Sequence, residues 1–199
     1  MSEILAFNRW STEGIKVEDP GLERYITLAP RVIPKTCGKY AGNRFHKSRS
    51  FIVERLINRI TVSGHKSSKH KESSGRNTGK TNSAMKLVIK AFEIIEKATG
   101  ENPIKVLVKA IENGAPREEI ITIQYGGARY PKPVECAPQR RVDVVLKFIT
   151  QGAYQKCFNK KKSAEQALAD EILHAYNLNA SSSIIQKKLE LERQADASR

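Results

Sequence analysis

Hydrophobic residues recur at every third or fourth position through most of this chain, which is the spacing of amphipathic α-helices. The spacing predicts a first helix over residues 48–63, with arginines along its polar face. A second helix is predicted from residue 81 to a stop at Gly100. Asn102 and Pro103 then provide a cap and a first-turn proline for a third helix.

The last third of the chain predicts three more helices. The apolar pattern returns over residues 139–157, and a Ser-x-x-Gln capping box at Ser163 opens a helix over residues 164–176. A second box at Ser183 predicts the start of the last helix. That helix has few apolar residues and both signs of charge, so we expect it to be largely exposed.

One segment interrupts the helices and predicts a β-hairpin at about residues 119–136. The stretch "EIITIQY" alternates β-branched residues, "YPKPVEC" supplies the returning strand, and "GGAR" lies between them at hairpin length. A two-stranded hairpin is marginal in water and needs a partner. The expected fold class is therefore mainly α, a bundle of about six helices with one projecting two-stranded β-hairpin.

The remaining segments are weakly patterned. Residues 1–47 are rich in turn residues and predict an extended, irregular N-terminal arm, with residues 48–199 forming the helical domain. Residues 64–80 are polar and rich in serine and lysine, which indicates a loop or an insertion. The alternative for that segment is a solvated, disordered linker.

Charge narrows the possible functions. The net charge is +14, and residues 31–81 alone carry thirteen basic and two acidic side chains. This concentration favours a polyanionic partner, either nucleic acid or an acidic membrane. The three widely spaced cysteines predict a reducing compartment without disulfides. No run approaches the length of a membrane span and no signal peptide begins the chain, so a secreted or membrane-spanning protein is not expected.

Candidate catalytic and metal-binding patterns fail on spacing or context. The stretch "GRNTGKT" separates its glycines by three residues instead of four, and polar sequence precedes it where a phosphate-binding loop requires an apolar strand. His65 and His70 lack the close-spaced ligand pairs of zinc sites. No nucleophile and base are identifiable together. We therefore expect a protein that is not an enzyme and holds no cofactor or metal.

Long, ordered motifs carry a resemblance to a known family. They are "YAGNRFHKSRSFIVERLINRI", "KLVIKAFEIIEKATGENPIKVLVKAIENGAPREE", "GGARYPKPVECAPQRRVD", "NKKKSAEQALADEILHAYN" and "SSSIIQKKLELERQA". Over about residues 39–195 the chain resembles the universal small-subunit ribosomal protein S-seven family, called S-five in eukaryotic cytosolic ribosomes. The opening "RWSTEGIKVEDPGLERYI" resembles the eukaryotic branch. Two features depart from the family: "KSSKHKESSGR" is longer than usual, and Cys136 replaces a more common aliphatic residue.

The resemblance implies a structural constituent of the small ribosomal subunit. Members of the family bind the 3′ major domain of the ribosomal RNA, support assembly of the head and line the mRNA exit and exit-tRNA region. The implied partners are ribosomal RNA and other small-subunit proteins, including S-eleven, with mRNA and exit-site tRNA nearby. The implied location is the cytosolic ribosome, with transient nucleolar assembly if the source is eukaryotic. Neither a membrane nor a homo-oligomer is expected.

Clustered cations and the hairpin supply the candidate RNA-binding residues, because RNA is recognised largely through shape, phosphates and 2′-hydroxyls. They are Lys35, Lys39, Arg44, Lys47, Arg49, Gly126, Gly127, Arg129, Tyr130, Lys132, Arg140, Arg141, Lys160, Lys161, Lys162, Lys187 and Lys188. Tyr130 either stacks on an unpaired base or packs across the hairpin. Arg140 and Arg141 open a helix, where acids are favoured, which indicates an anionic partner or a surface ion pair. Acidic neighbours balance Lys187 and Lys188.

Two other classes of protein compete with this interpretation. A helical nucleic-acid-binding regulator outside the ribosome is expected to have a dimer interface or a recognition-helix motif, and neither is apparent in the sequence. An enzyme acting on RNA requires a convergent acid–base or metal set, which the sequence also lacks.

Overall fold

The computed structural model describes residues 4–66, 69–70 and 75–199. Within them the chain is mainly helical, which confirms the predicted fold class. The helices are α1 (Pro20–Glu23), a 3-10 helix (His46–Arg49), α2 (Ile52–Ile60), α3 (Thr81–Thr99), α4 (Pro103–Gly114), α5 (Pro138–Cys157), α6 (Ala164–Tyr176) and α7 (Ser183–Ala197). The strands are β1 (His65–Lys66), β2 (Lys69–His70), β3 (Glu118–Tyr125) and β4 (Ala128–Glu135).

Helix α6 forms the centre of the bundle and packs against α3, α4, α5 and α7. Its buried residues include Ala167, Ala169 and Ala175, and these small side chains let the neighbouring helices approach closely. Leu168 and Ile172 fill the space between the helices and are almost completely buried. A helix that is buried against four others acts as the axis of the fold.

Capping residues set several helix ends where the sequence predicts them, but the first helix, predicted over residues 48–63, is shorter. The segment forms a 3-10 helix and then α2 over Ile52–Ile60, which has no side-chain cap. Gly100 ends α3 in the left-handed conformation at φ +69°. The Asn102 side chain accepts a hydrogen bond from the Ile104 amide at 2.9 Å, and Ser163 does the same for Gln166 at 3.3 Å. The predicted cap of α7 at Ser183 is wrong by one residue. Ser182 is the cap, because its hydroxyl accepts from the Ile184 amide at 3.2 Å, while both serine hydroxyls donate to Glu171.

The arginine in the middle of α2 also departs from the prediction. The spacing places Arg55 on the polar face, yet only 6% of its side chain is exposed. Its guanidinium donates to the Tyr25 carbonyl at 2.8 Å and to Asp143 at 3.1 Å. The N-terminal residues and α5 cover this side of α2, so the charge is buried with a carboxylate partner.

The residues before α2 are irregular in backbone but packed on the bundle. The Trp10 ring lies edge-on to Phe92 with 5.6 Å between centroids, and its indole N–H donates to Glu96 at 3.1 Å. The Asn102 amide donates to the Ser11 carbonyl at 2.6 Å. Leu22 is completely buried in the same core. These contacts attach the first part of the arm to α3 and α4.

The polar segment between α2 and α3 is described only in part. Strands β1 and β2 pair antiparallel, with His65 opposite His70, and residues 75–79 form turns before α3. The predictions of a loop or linker and of solvated histidines also involve residues 67–68 and 71–74 and the side chains of β1 and β2. Those lie outside the described residues.

The predicted hairpin is present and consists of β3 and β4. Tyr125 pairs with Ala128, so the turn is the two residues Gly126 and Gly127 and not the four-residue "GGAR". Both glycines have positive φ, at +53° and +91°, which a tight hairpin turn requires at both central positions. Residues 121–132 are all exposed, so the distal part of the hairpin projects from the bundle. We call β3, β4 and their turn the ribbon.

The ribbon is held at its base by the two helices on either side. The Arg199 guanidinium beyond α7 contacts both carboxylate oxygens of Glu118 at 2.6 Å. Glu119 pairs with Arg140 at the start of α5. The Arg117 amide donates to Glu192 of α7 at 3.2 Å. The partner that an isolated hairpin needs is therefore supplied by α5, α7 and the residues beyond α7. Only the exposed distal part of the ribbon lacks such support.

Replacing residues 126–132 with a short Gly-Ser turn is expected to leave the bundle folded. The replaced residues are exposed, and the contacts that hold the ribbon lie at its base. Far-ultraviolet circular dichroism and a thermal melt provide the measurement, with an unchanged helical signal and a midpoint within a few degrees as the expected result. Loss of the helical signal would show that the tip takes part in the core.

Candidate nucleic-acid interface

A groove of about 950 Å³ lies between the arm, α2 and the first half of α5. We call it the arm groove. Its basic side chains outnumber its acidic ones, and an aromatic ring, Phe45, lies at its edge. The charged or titratable residues that line it are Lys35, His46, Lys47, Glu54, Arg55, Arg59, Arg140, Asp143 and Lys147.

The two acids of the arm groove are already engaged. Glu54 is buried, and its carboxylate accepts from the Thr36 amide at 2.7 Å and from the Thr36 hydroxyl at 2.6 Å. Asp143 accepts from Lys47 at 3.0 Å and from Arg55 at 3.1 Å. Glu54 thereby ties the arm to α2, and the net charge of the groove is positive because its basic side chains outnumber these two acids.

Several predicted site residues have exposed side chains with no ion-pair or hydrogen-bond partner among the described residues. They are Lys35, Arg49, Arg129, Lys132, Lys160 and Lys161. Lys39 and Arg44 are exposed as well and lie over the rings of their neighbours, at 6.0 Å from Tyr40 and 5.5 Å from Phe45. These eight side chains present their charge to solvent on the arm, on the ribbon and after α5.

The other predicted cations are engaged within the protein. Ion pairs hold five of them, which are Lys47 with Asp143, Arg140 with Glu119, Arg141 with Asp19, Lys162 with Asp170 and Lys187 with Glu190. Lys188 donates to the Asn113 carbonyl at 2.9 Å. Arg141 is only 13% exposed and contacts Asp19 at 2.9 Å and the Pro116 carbonyl at 3.1 Å. For Arg140 and Arg141 the alternative of an ion pair therefore describes the observed contacts.

Electrostatics at the ribbon base follow from these contacts. Burial opposes ionisation of Asp19, but the Gly21 amide and the Arg141 guanidinium outweigh it and lower the pKa of this carboxyl. Burial raises the pKa of the Cys136 thiol to about 11, and the nearby Glu119 carboxylate acts in the same direction. Cys136 is therefore protonated near neutral pH and unsuited to nucleophilic chemistry.

The ribbon carries an aromatic face that the sequence prediction covers only in part. Residues paired across the strands share a face, so Ile123 and Tyr130 lie together, as do Tyr125 and Ala128. Tyr130 packs across from Ile123 and is still 59% exposed, while Tyr125 is 79% exposed. Tyr125 is absent from the predicted site. Its position directly before the glycine turn is the signal that indicates an exposed ring.

The arm groove also contains residues that sequence reasoning does not assign to the site. Phe45 and His46 adjoin predicted cations in the chain, whereas Arg59 and Lys147 come from different helices. Only the packing of the arm over α2 and α5 brings these residues together. Adjacency to Arg44 and Lys47 is the one sequence signal for Phe45 and His46.

Within residues 4–66, 69–70 and 75–199, no group of three or more histidine, cysteine or acidic side chains is arranged to hold a metal ion. Over the same part of the chain, none of the helices has the length and apolar content needed to cross a lipid bilayer.

A helical bundle with a cationic groove and a basic, aromatic ribbon has the surface of a nucleic-acid-binding protein. A sequence profile of the family described as Ribosomal protein S7p/S5e matches residues 22–199. This match covers far more than half of the chain. The chain belongs to this family, as its sequence motifs indicate.

Three archaeal relatives share nearly the full length of the chain, and each is named small ribosomal subunit protein uS7. The protein of Nanoarchaeum equitans is 51% identical over 193 residues, which cover 97% of this chain and 98% of the relative. That of Methanothermobacter thermautotrophicus is 47% identical, covering 95% and 96%. That of Archaeoglobus fulgidus is 44% identical, covering 99% and 96%.

Proposed function

We propose that this protein is a structural constituent of the small ribosomal subunit and binds ribosomal RNA through the arm groove and the ribbon. The observation that carries the proposal is the arm groove itself, whose acids are engaged by the protein while Lys35, Arg59 and Lys147 have no ion-pair partner among the described residues. Family membership and the names of the archaeal relatives support the ribosomal role.

The arm groove binds RNA by charge and shape. Lys35 on one wall and Lys147 on the other can contact the phosphates of one strand, while Arg49 extends the basic surface along the arm. The hydrogen bonds from Thr36 to Glu54 hold the arm wall in place, so little ordering of the protein is required when RNA binds. In this proposal residues 1–47 act as an arm on a helical RNA-binding domain of residues 48–199.

The ribbon and the segment after α5 provide further contacts. Arg129 and Lys132 supply charge and Tyr130 a stacking surface, and the glycine turn allows RNA to approach the backbone closely. Lys160 and Lys161 follow the stacked Tyr154 and Phe158 rings, whose centroids are 5.1 Å apart. We assign these contacts to the 3′ major domain of the subunit head, with the ribbon and α7 toward the mRNA exit and exit-site tRNA.

Other parts of the proposal follow from family membership. The protein acts in translation as part of a ribonucleoprotein in the cytoplasm and not as an enzyme, and it requires neither a cofactor nor a homo-oligomer. Its protein neighbours are other small-subunit proteins, S-eleven among them. Nucleolar assembly stays a prediction for a source that has a nucleus.

Binding to an RNA transcript of the subunit head is expected to weaken steeply as salt increases. Phosphate contacts release counterions, and each contact adds about 0.7 to 0.9 to the slope of log affinity against log salt. Filter binding from low to high salt measures that slope. A flat dependence would contradict the electrostatic mechanism, and failure to co-sediment with small subunits through a salt wash would contradict the ribosomal role.

A further inference from the structure

An exposed aromatic ring lies at the edge of the arm groove. Phe45 is 53% exposed, although it is among the largest apolar side chains of the arm. Its backbone is fixed, because the carbonyl of Phe45 accepts from the Ser48 amide at 3.2 Å where the 3-10 helix begins. Ser48 is buried, and its carbonyl accepts a hydrogen bond from the Thr27 hydroxyl. The ring is therefore held at the surface by a turn that is packed on the bundle.

The Phe45 ring lies beside a cation and also beside the arm groove. The Arg44 guanidinium carbon lies 5.5 Å from the ring centroid, and Arg44 does not line the arm groove. Phe45 does line it and is more than half exposed, so the ring has accessible surface beside the groove. A cation behind an aromatic ring holds the ring in place and leaves the other face available for stacking.

The charge and shape of the arm groove indicate which form of RNA binds beside Phe45. Across the groove from the ring lie cations that include Arg59 and Lys147, while Glu54 and Asp143 are engaged by the protein. A paired RNA strand presents phosphates to the cations but has no unstacked base to cover the ring. An unpaired nucleotide can occupy both the cations and the ring, because its phosphate contacts the cations and its base stacks on the ring.

We propose that Phe45 is a stacking platform for an unpaired base of the ribosomal RNA in the arm groove. The proposal rests on the proposed function and deepens it, since it adds recognition of a looped or bulged nucleotide to phosphate binding. Stacking involves no counterion release, so this contact contributes affinity that does not depend on salt. Phe45 is thus the residue of the groove that distinguishes unpaired RNA from duplex.

The test compares Phe45→Ala, Phe45→Trp and Ile33→Ala by filter binding to a head-domain transcript over a salt series. Phe45→Ala is expected to weaken binding about tenfold with the salt slope unchanged, and Phe45→Trp is expected to retain affinity. Ile33→Ala is the matched control, because Ile33 is an apolar arm residue that is 62% exposed and does not line the groove. Circular dichroism establishes that all three variants are folded.

A fluorescence measurement adds a direct readout of stacking. The fluorescence of the Phe45→Trp variant is expected to be quenched by the transcript, while the buried Trp10 provides a constant background. Full affinity of Phe45→Ala, or quenching by a fully paired duplex equal to that by the transcript, would overturn the platform and leave the proposed function intact. If Phe45→Ala binds RNA normally but is no longer incorporated into subunits, the platform would also be overturned, and the ring would be assigned to a contact with another protein. Absence of RNA binding by the unaltered protein would instead refute the proposed function.

Discussion

Replacing Glu171 with alanine is expected to lower the free energy of unfolding by about 3 kcal/mol, because it removes a buried carboxylate that pairs with a partly exposed lysine and accepts several hydrogen bonds. Glu171 in α6 is completely buried. Its carboxylate contacts Lys156 at 2.5 Å and accepts from the Ser183 hydroxyl at 2.6 Å and the Ile184 amide at 3.2 Å. The substitution leaves the Ser183 hydroxyl without this acceptor and leaves the Ile184 amide with only the Ser182 cap.

Urea unfolding monitored by circular dichroism measures this loss. Asp170→Ala is the matched control, because the adjacent acid of the same helix pairs with Lys162 while both side chains remain about one-third exposed. An exposed pair of this kind contributes less than about 1 kcal/mol. Equal losses in the two variants would contradict the assignment of Glu171 as the residue that fastens α7 to the bundle.

Removing the two lysines on opposite walls of the arm groove is expected to produce the largest loss of RNA affinity. If Lys35 and Lys147 each contact a phosphate, the Lys35→Ala/Lys147→Ala variant loses about 1.4 to 1.8 from its salt slope. Its affinity near physiological salt is expected to decrease by about 10- to 100-fold. Filter binding over the same salt series as for the unaltered protein provides the measurement.

The control removes the same amount of charge elsewhere. Lys16→Ala/Lys97→Ala changes two exposed lysines that do not line the arm groove and have no ion-pair partner among the described residues. This variant is expected to keep most of the affinity and of the salt slope. If both double variants weaken binding equally, net charge and not the groove determines RNA binding.

Local chemistry explains why the sequence predicts the elements of this fold so closely. Helix α6 is predicted with its observed bounds, because a serine cap precedes it and the apolar spacing continues to Tyr176. The ribbon is predicted because alternating β-branched residues and a returning strand flank "GGAR", and both of its glycines have the positive φ of a tight turn. The cap of α7 is misplaced by one residue because adjacent serines offer the same hydroxyl, and Ser182 is the one that accepts from the Ile184 amide.

The roles of the basic residues depend on contacts that sequence spacing does not contain. Arg55, Arg140 and Arg141 resemble free cations in the sequence, but each contacts an acid on another element. Asp19 and Arg141 are separated by 122 positions in the chain. The arm groove is equally non-local, since its walls belong to the arm, α2 and α5. The clustering of charge predicts a binding surface, but it does not predict which cations line it.

The packing of the arm also limits when the chain can complete its fold during synthesis. The arm is made first, but Trp10 packs on Phe92, and Glu18 donates its amide to Glu112. Asp19 acquires its partner only when residue 141 has been made. Contacts of such sequence separation form late because the intervening chain must first be ordered. The N-terminal residues are thus the first to leave the translating ribosome and among the last to acquire their native neighbours.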